Sequence, residues 1–252
     1  MALSICYFRG VFENMYQLFF TPAWFNGFDL VFDIIGLVIA LLIAAYSWRV
    51  YRISEENKFA YFSFAFLLLA GGLLFKSFTH GVLYFTPLRD SVMEVLKPAL
   101  GSKLKFSDLY YRAAFFLQMV LMLGGWLLIF FISQKSRQRL TKYYEVSQMA
   151  LFLYLILLIS IIANFSYFVF YLTSAVILGM TVLNYYKNYL NTSRNENAFR
   201  VMMSFLFILI GNLFFVFVFV FESFYVFGEV FMLIGFLLLL SAYSKAKRRS
   251  NK

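Results

Sequence analysis

Seven long apolar segments constrain this chain more than any other feature of its sequence. The hydrocarbon core of a bilayer is about 30 Å thick, and an α-helix crosses it with roughly 20 residues. Apolar runs of about this length lie at residues 29–48, 59–80, 113–133, 147–164, 167–186, 201–221 and 225–244. They do not alternate apolar with polar residues, as the strands of a membrane barrel would. The sequence therefore predicts an all-α, multi-pass membrane protein with seven transmembrane helices.

Composition excludes a water-soluble fold and several kinds of catalytic centre. Apolar residues make up 63% of the 252 residues and charged residues 13%, whereas a soluble domain takes about a quarter of its residues from the charged types. We therefore expect a lipid bilayer to surround the chain. The sequence has one cysteine, Cys6, and one histidine, His80, so a single copy cannot build a zinc centre from three or four Cys and His ligands. No metal and no cofactor are expected.

Lysine and arginine predict the orientation. Most of the 22 basic residues fall in segments 49–58, 135–142, 187–200 and 245–252, which lie on one side of the predicted membrane. Cytoplasmic loops are enriched in these residues, so we expect the amino terminus outside and the carboxyl terminus in the cytoplasm of a cell-membrane protein. The net charge of +10 then indicates attraction to anionic lipids of the inner leaflet rather than to nucleic acid.

Three segments flank the predicted helices. Residues 1–28 are interpreted as an amphipathic segment on the membrane surface, with Pro22 ending it. Residues 86–108 form the predicted outer loop, which either caps the outer ends of the helices or acts as a lid or docking element. Residues 245–252 form a basic cytoplasmic tail.

Two parts of the sequence are also similar to each other. Residues 121–129 align without a gap with residues 231–239, and Phe66 with residues 72–75 aligns with Phe205 and residues 211–214. This pattern predicts two parallel three-helix units, 29–133 and 167–244, related by an axis along the membrane normal and joined by a linker helix at 147–164. Chance similarity between apolar segments is the alternative.

This layout of three, one and three helices resembles two membrane protein groups, the SWEET and PQ-loop sugar transporters and the microbial rhodopsins. The three prolines, Pro22, Pro87 and Pro98, lie outside the predicted helices, so the proline–glutamine kinks of the first group are missing. Predicted helix seven has no lysine for a retinal Schiff base. The sequence Tyr-Ser-Trp-Arg-Val-Tyr-Arg at residues 46–52, followed by an apolar, glycine-containing helix, is similar to the seven-helix sensor modules of prokaryotic signalling proteins.

Ionisable residues inside the apolar runs are the first functional candidates, because buried charges are costly in a bilayer. Asp33, Lys76 and Glu229 lie at similar depths below the outer boundary. Spacings of four and seven residues predict a shared helical face for three pairs, provided that one helix contains both members of each pair. The pairs are Asp29 with Asp33, Lys76 with His80, and Glu222 with Glu229. One hypothesis is an outward-opening pocket in which Lys76 pairs with Asp33 or Glu229. The candidate ligand-binding residues are Asp33, Lys76, His80, Gln118, Glu222 and Glu229.

The alternative hypothesis for these residues is structural. Lysine and glutamate side chains near a helix end can reach the headgroups, and a Lys76–Asp33 ion pair would satisfy both partners. His80 is then an interfacial polar residue rather than a proton relay.

The central third of every predicted helix is almost entirely apolar, and the functional prediction follows from this composition. No motif of a hydrolase, a phosphate-binding loop or a zinc protease is found in the sequence, which predicts a protein without enzymatic activity. The favoured interpretation is a sensor or accessory subunit that acts through a separate partner protein. A small-solute transporter, working as a single copy or a homo-oligomer, and a structural subunit of a larger complex are the alternatives.

Overall fold

The computed structural model describes residues 21–22, 24–87, 91, 106–134, 167–192 and 195–250. These residues form six helices: α1 Phe28–Ser54, α2 Asn57–Tyr84, α3 Phe106–Gln134, α4 Tyr167–Asn191, α5 Glu196–Val216 and α6 Ser223–Ser250. All six contain a stretch long and apolar enough to cross a membrane. The all-α, multi-pass character predicted from the sequence is therefore present in the described part of the chain.

Several predicted segments lie outside the described residues. They are the linker helix 147–164, residues 1–20 of the amphipathic segment, most of the outer loop 86–108 and the last residues of the basic tail. Predicted helix six is too long at its carboxyl end, because α5 ends at Val216 and residues 217–220 form a turn. Hydropathy could not reveal this turn, since its Phe217, Phe219 and Val220 side chains are apolar and exposed.

The helices close into a ring. Each described helix packs against the next along the chain, and α1 packs against α6. We call the end at which α1, α3, α4 and α6 begin the upper end, and the end at which α2 and α5 begin the lower end. The ring thus brings the first described helix, α1, into contact with the last, α6.

Consecutive helices α3 and α4 run in the same direction. At the upper end the ring of Phe115 on α3 stacks on Tyr167 of α4, with centroids 6.4 Å apart. At the lower end Asn184 Nδ2 of α4 donates a hydrogen bond to Ser133 Oγ of α3 at 3.0 Å. Gln134 and Tyr167 therefore lie at opposite ends of the bundle.

The middle of the bundle is apolar. Phe66, Trp126 and Phe236, from α2, α3 and α6, are almost fully buried, and the Phe236 ring lies 6.5 Å from that of Phe66 and 6.4 Å from that of Trp126. Phe205 of α5 stacks on Tyr185 of α4 at 4.9 Å. These rings separate the polar groups of the upper end from those of the lower end.

Two glycines allow neighbouring helices to approach closely. A methyl group on Gly72 of α2 would lie 2.5 Å from Met122 Cγ of α3. A methyl group on Gly211 of α5 would lie 2.8 Å from Met232 Cγ of α6. Small residues at such positions increase van der Waals contact between helices in a membrane.

Candidate functional site: a buried ionic cluster

Lys76 joins three helices at the upper end of the bundle. Its ammonium Nζ donates to Asp33 Oδ1 of α1 at 2.7 Å and to Glu229 Oε1 of α6 at 2.5 Å. All three residues are at most 5% exposed. The sequence predicted that Lys76 pairs with Asp33 or Glu229, and the structure brings it against both.

His80 and Asp29 extend this contact into a cluster. His80 Nδ1 lies 3.0 Å from Asp33 Oδ2 and 3.4 Å from Asp29 Oδ2. Both residues are fully buried, so His80 lies inside the bundle and not at its lipid or water interface. We call Asp29, Asp33, Lys76, His80 and Glu229 the ionic cluster.

Asp29 was not among the candidate residues, although its spacing from Asp33 places the two on one helical face. It lies in the first turn of α1, where the carboxylate is favoured by the partial positive charge of the helix start. Its Oδ1 accepts from the backbone N–H groups of Gly27 at 3.0 Å and Leu30 at 2.8 Å. Gly27 has φ 92°, a conformation that suits glycine.

Carboxylates outnumber ammonium groups in the cluster. Asp29, Asp33 and Glu229 supply three carboxyl groups, and Lys76 supplies one ammonium. The backbone N–H groups of Gly27 and Leu30 stabilise Asp29 by hydrogen bonds but do not neutralise it. A buried charge without a partner costs several kcal/mol, so the cluster is a place where a cationic group is favoured.

Aromatic rings cover one side of the ammonium. Lys76 Nζ lies 5.7 Å from the centroid of the Tyr225 ring and 5.9 Å from that of Phe215, distances at which a ring attracts a cation. The centroid of the Tyr171 ring lies 4.6 Å from that of Phe215 and 4.5 Å from that of Tyr167. We call Tyr167, Tyr171, Phe215 and Tyr225 the aromatic wall. The Tyr225 hydroxyl is buried and has no hydrogen-bond partner among the described residues.

Gln118 and Glu222 lie apart from the cluster. Gln118 is buried on α3, and its Nε2 donates to Met122 Sδ at 3.9 Å. Glu222 is exposed and precedes the first residue of α6. Glu222 and Glu229 therefore do not lie in one helix, so the predicted shared face is not formed.

A second polar region lies at the lower end. A cavity of about 400 Å³ opens there between α2, α3, α4, α5 and α6. Its lining residues are Lys58, Phe59, Phe62, Ile132, Ser133, Tyr185, Asn188, Asn197, Ala198, Val201, Ala242 and Tyr243. Within the described ranges, no group of three or more His, Cys, Asp or Glu side chains is placed to hold a metal ion.

No protein-family model, curated protein or solved structure matches this chain.

Proposed function

We propose that the protein transports a small solute across the bilayer by moving two three-helix halves relative to each other. The observation that carries this proposal is the difference between the two ends of the bundle. The upper end is closed by the buried contacts of Lys76 with Asp33 and Glu229, while a cavity opens at the lower end. Such an asymmetry is expected of a transporter that is open to one side only.

The direction of α4 supports a seventh transmembrane helix. Gln134 ends α3 at the lower end and Tyr167 begins α4 at the upper end, so the chain must cross the length of the bundle between them. We propose that the apolar run 147–164 makes this crossing. The proposed chain then has seven transmembrane helices. The lysine and arginine distribution supports an orientation in which the upper end and the amino terminus lie outside.

Equivalent close contacts support two parallel repeats. The sequence alignment pairs Gly125 with Gly235 and Leu69 with Ile208. A methyl group on Gly125 would lie 2.8 Å from Leu69 Cδ2, and one on Gly235 would lie 2.5 Å from Ile208 Cγ1. The alignment also pairs Gly72 with Gly211 and Met122 with Met232. These residues form the two close contacts described with the fold. Four glycines thus meet equivalent neighbours, and this agreement supports the two proposed repeats.

The ionic cluster lies at the boundary between the proposed halves. Asp33 and Lys76 belong to the first half, whereas Glu229 belongs to the second. Separation of α6 from α1 and α2 at the upper end must break the contact between Lys76 and Glu229. A proton or a charged solute that replaces one partner lowers the cost of this separation, because it removes the uncompensated charge that opening leaves behind.

A sensor or accessory subunit is the second candidate. The observation that favours it is the apolar layer of Phe66, Trp126, Phe205 and Phe236 between cluster and cavity, because a packed layer provides no route for a solute. In this proposal, ligand binding at the cluster shifts α6 against α1 and α2, and a separate partner protein responds at the cytoplasmic end. A purely structural subunit requires neither the movement of the two halves nor the shift of α6.

Uptake into proteoliposomes separates these proposals. Labelled amino acids, sugars and organic acids are offered to vesicles that contain the protein or its Glu229→Gln or Glu222→Gln variant. Transport predicts uptake of at least one class, reduced at least tenfold by Glu229→Gln and unchanged by Glu222→Gln, because Glu222 is exposed outside the cluster. Uptake that both variants leave unchanged would contradict a role for the cluster. No uptake of any class would overturn the transport proposal in favour of the sensor or structural subunit.

A further inference from the structure

The cavity at the lower end has the size of a small-molecule site. Its volume is about 400 Å³ and five helices contribute to its walls, within the usual range of about 300–1,000 Å³ for ligand pockets. It lies at the opposite end of the bundle from the ionic cluster, so it is a second site and not an extension of the first.

Aromatic rings form much of its wall. Phe59 and Phe62 come from α2, Tyr185 from α4 and Tyr243 from α6. The Tyr243 ring lies 5.4 Å from that of Phe62. Rings from three helices offer faces and edges to a flat apolar group, which packs against them in stacked or edge-on arrangements.

Among the described lining residues, the polar groups include one ammonium and no carboxylate. Lys58 supplies an ammonium, Asn188 and Asn197 supply amides, and Ser133 supplies a hydroxyl. Lys58 forms an ion pair with Glu56, in which both side chains are about half exposed. An exposed ion pair of this kind contributes little, so an acidic ligand can replace Glu56 as the partner of Lys58. A cationic ligand finds no carboxylate among the lining residues that the structure describes.

We infer that this cavity binds an organic monoanion with a flat apolar body, such as an aromatic carboxylate. The body packs between the rings of Phe62, Tyr185 and Tyr243, and the acid group pairs with Lys58. The inference rests on the proposed transport function in one respect, since it names the class of solute that the protein would carry. Binding itself is measured without transport.

The test uses the full chain in lipid nanodiscs and 2-naphthoate as the probe, with heats of binding measured by calorimetry and empty nanodiscs subtracted. The cation 2-naphthylmethylammonium has a similar body and the opposite charge. We expect 2-naphthoate to bind at least tenfold more tightly than this cation. Lys58→Gln is expected to weaken 2-naphthoate binding at least tenfold.

The second arm of the test fills the cavity with a tryptophan side chain. Val201 lines the cavity, whereas Val176 is 57% exposed on the outer face of α4. Val201→Trp should abolish binding and Val176→Trp should leave it unchanged, in samples with the same elution volume and helical circular dichroism. Equal binding of both probes, or a dissociation constant that neither Lys58→Gln nor Val201→Trp alters, would overturn the inference.

The outcomes of binding and uptake are distinguishable. Binding of 2-naphthoate at the cavity without uptake of the labelled compound by proteoliposomes supports the site and counts against transport of this class. Uptake of another solute, without 2-naphthoate binding, supports transport and overturns the inference about the cavity.

Discussion

Removal of the Lys76 ammonium is the perturbation that most directly measures the ionic cluster. In Lys76→Met, Asp33 and Glu229 keep their carboxylates but lose the cation that lies 2.7 and 2.5 Å from them. At these distances and an effective dielectric constant near 20, each attraction is about 6 kcal/mol. Desolvation of the ions and repulsion between the carboxylates oppose these attractions. We therefore expect a loss of about 3–5 kcal/mol in the free energy of unfolding, the usual cost of leaving a buried charge without its partner.

The assay is reversible unfolding in mixed micelles of dodecyl maltoside and sodium dodecyl sulfate, followed by helical circular dichroism. Lys58→Met is the matched control, because the same substitution there removes a half-exposed ion pair with Glu56 and should cost below about 1 kcal/mol. Lys76→Met combined with Asp33→Asn and Glu229→Gln removes all three charges and should recover most of the loss. The reasoning is refuted if Lys76→Met costs no more than Lys58→Met, or if the triple variant is less stable than the single one.

Three further predictions concern packing, capping and topology. Gly235→Ala places a methyl group 2.5 Å from Ile208 Cγ1 and should cost about 1–3 kcal/mol of stability, whereas Gly179→Ala meets nothing within 4 Å and should be neutral or stabilising by up to about 1 kcal/mol; equal effects in mixed micelles would contradict the close contact. Asn195 accepts from the backbone N–H of Asn197 at 3.0 Å, so Asn195→Ala should cost about 1 kcal/mol in the same assay. With Cys6→Ser, a cysteine at Glu222 should react with an impermeant maleimide on intact cells and one introduced at Ser250 only after lysis; the reverse pattern would contradict the proposed orientation.

The sequence predicted the six described helices well, because a bilayer imposes a similar length and composition on every crossing. The turn after Val216 escaped prediction because its side chains are as apolar as those of the helix before it. The same cause accounts for Glu222, whose predicted alignment with Glu229 required the helix to begin earlier than Ser223. Helix ends at a membrane boundary depend on backbone hydrogen bonds that hydropathy does not record.

The ionic cluster was partly predictable. Asp33, Lys76 and Glu229 stand out because charges are rare and costly inside apolar runs, and the spacing of Lys76 and His80 places them on one face. The aromatic wall was not predictable, because Tyr225 and Phe215 are hidden among 18 Tyr and 35 Phe residues. The cavity also has no signal in the sequence, since it depends on how far the lower ends of five helices lie from one another.

Cysteine accessibility tests most directly whether the upper end is closed while the lower end is open. With Cys6→Ser as background, a cysteine replaces Thr79, buried one turn beyond Lys76, or Val201, which lines the cavity. A charged, membrane-impermeant thiosulfonate should modify the Val201→Cys variant from the lower side at least tenfold faster than it modifies Thr79→Cys from either side. Addition of Glu229→Gln should accelerate the reaction of Thr79→Cys from the upper side. Equal rates at the two positions, unchanged by Glu229→Gln, would contradict the account.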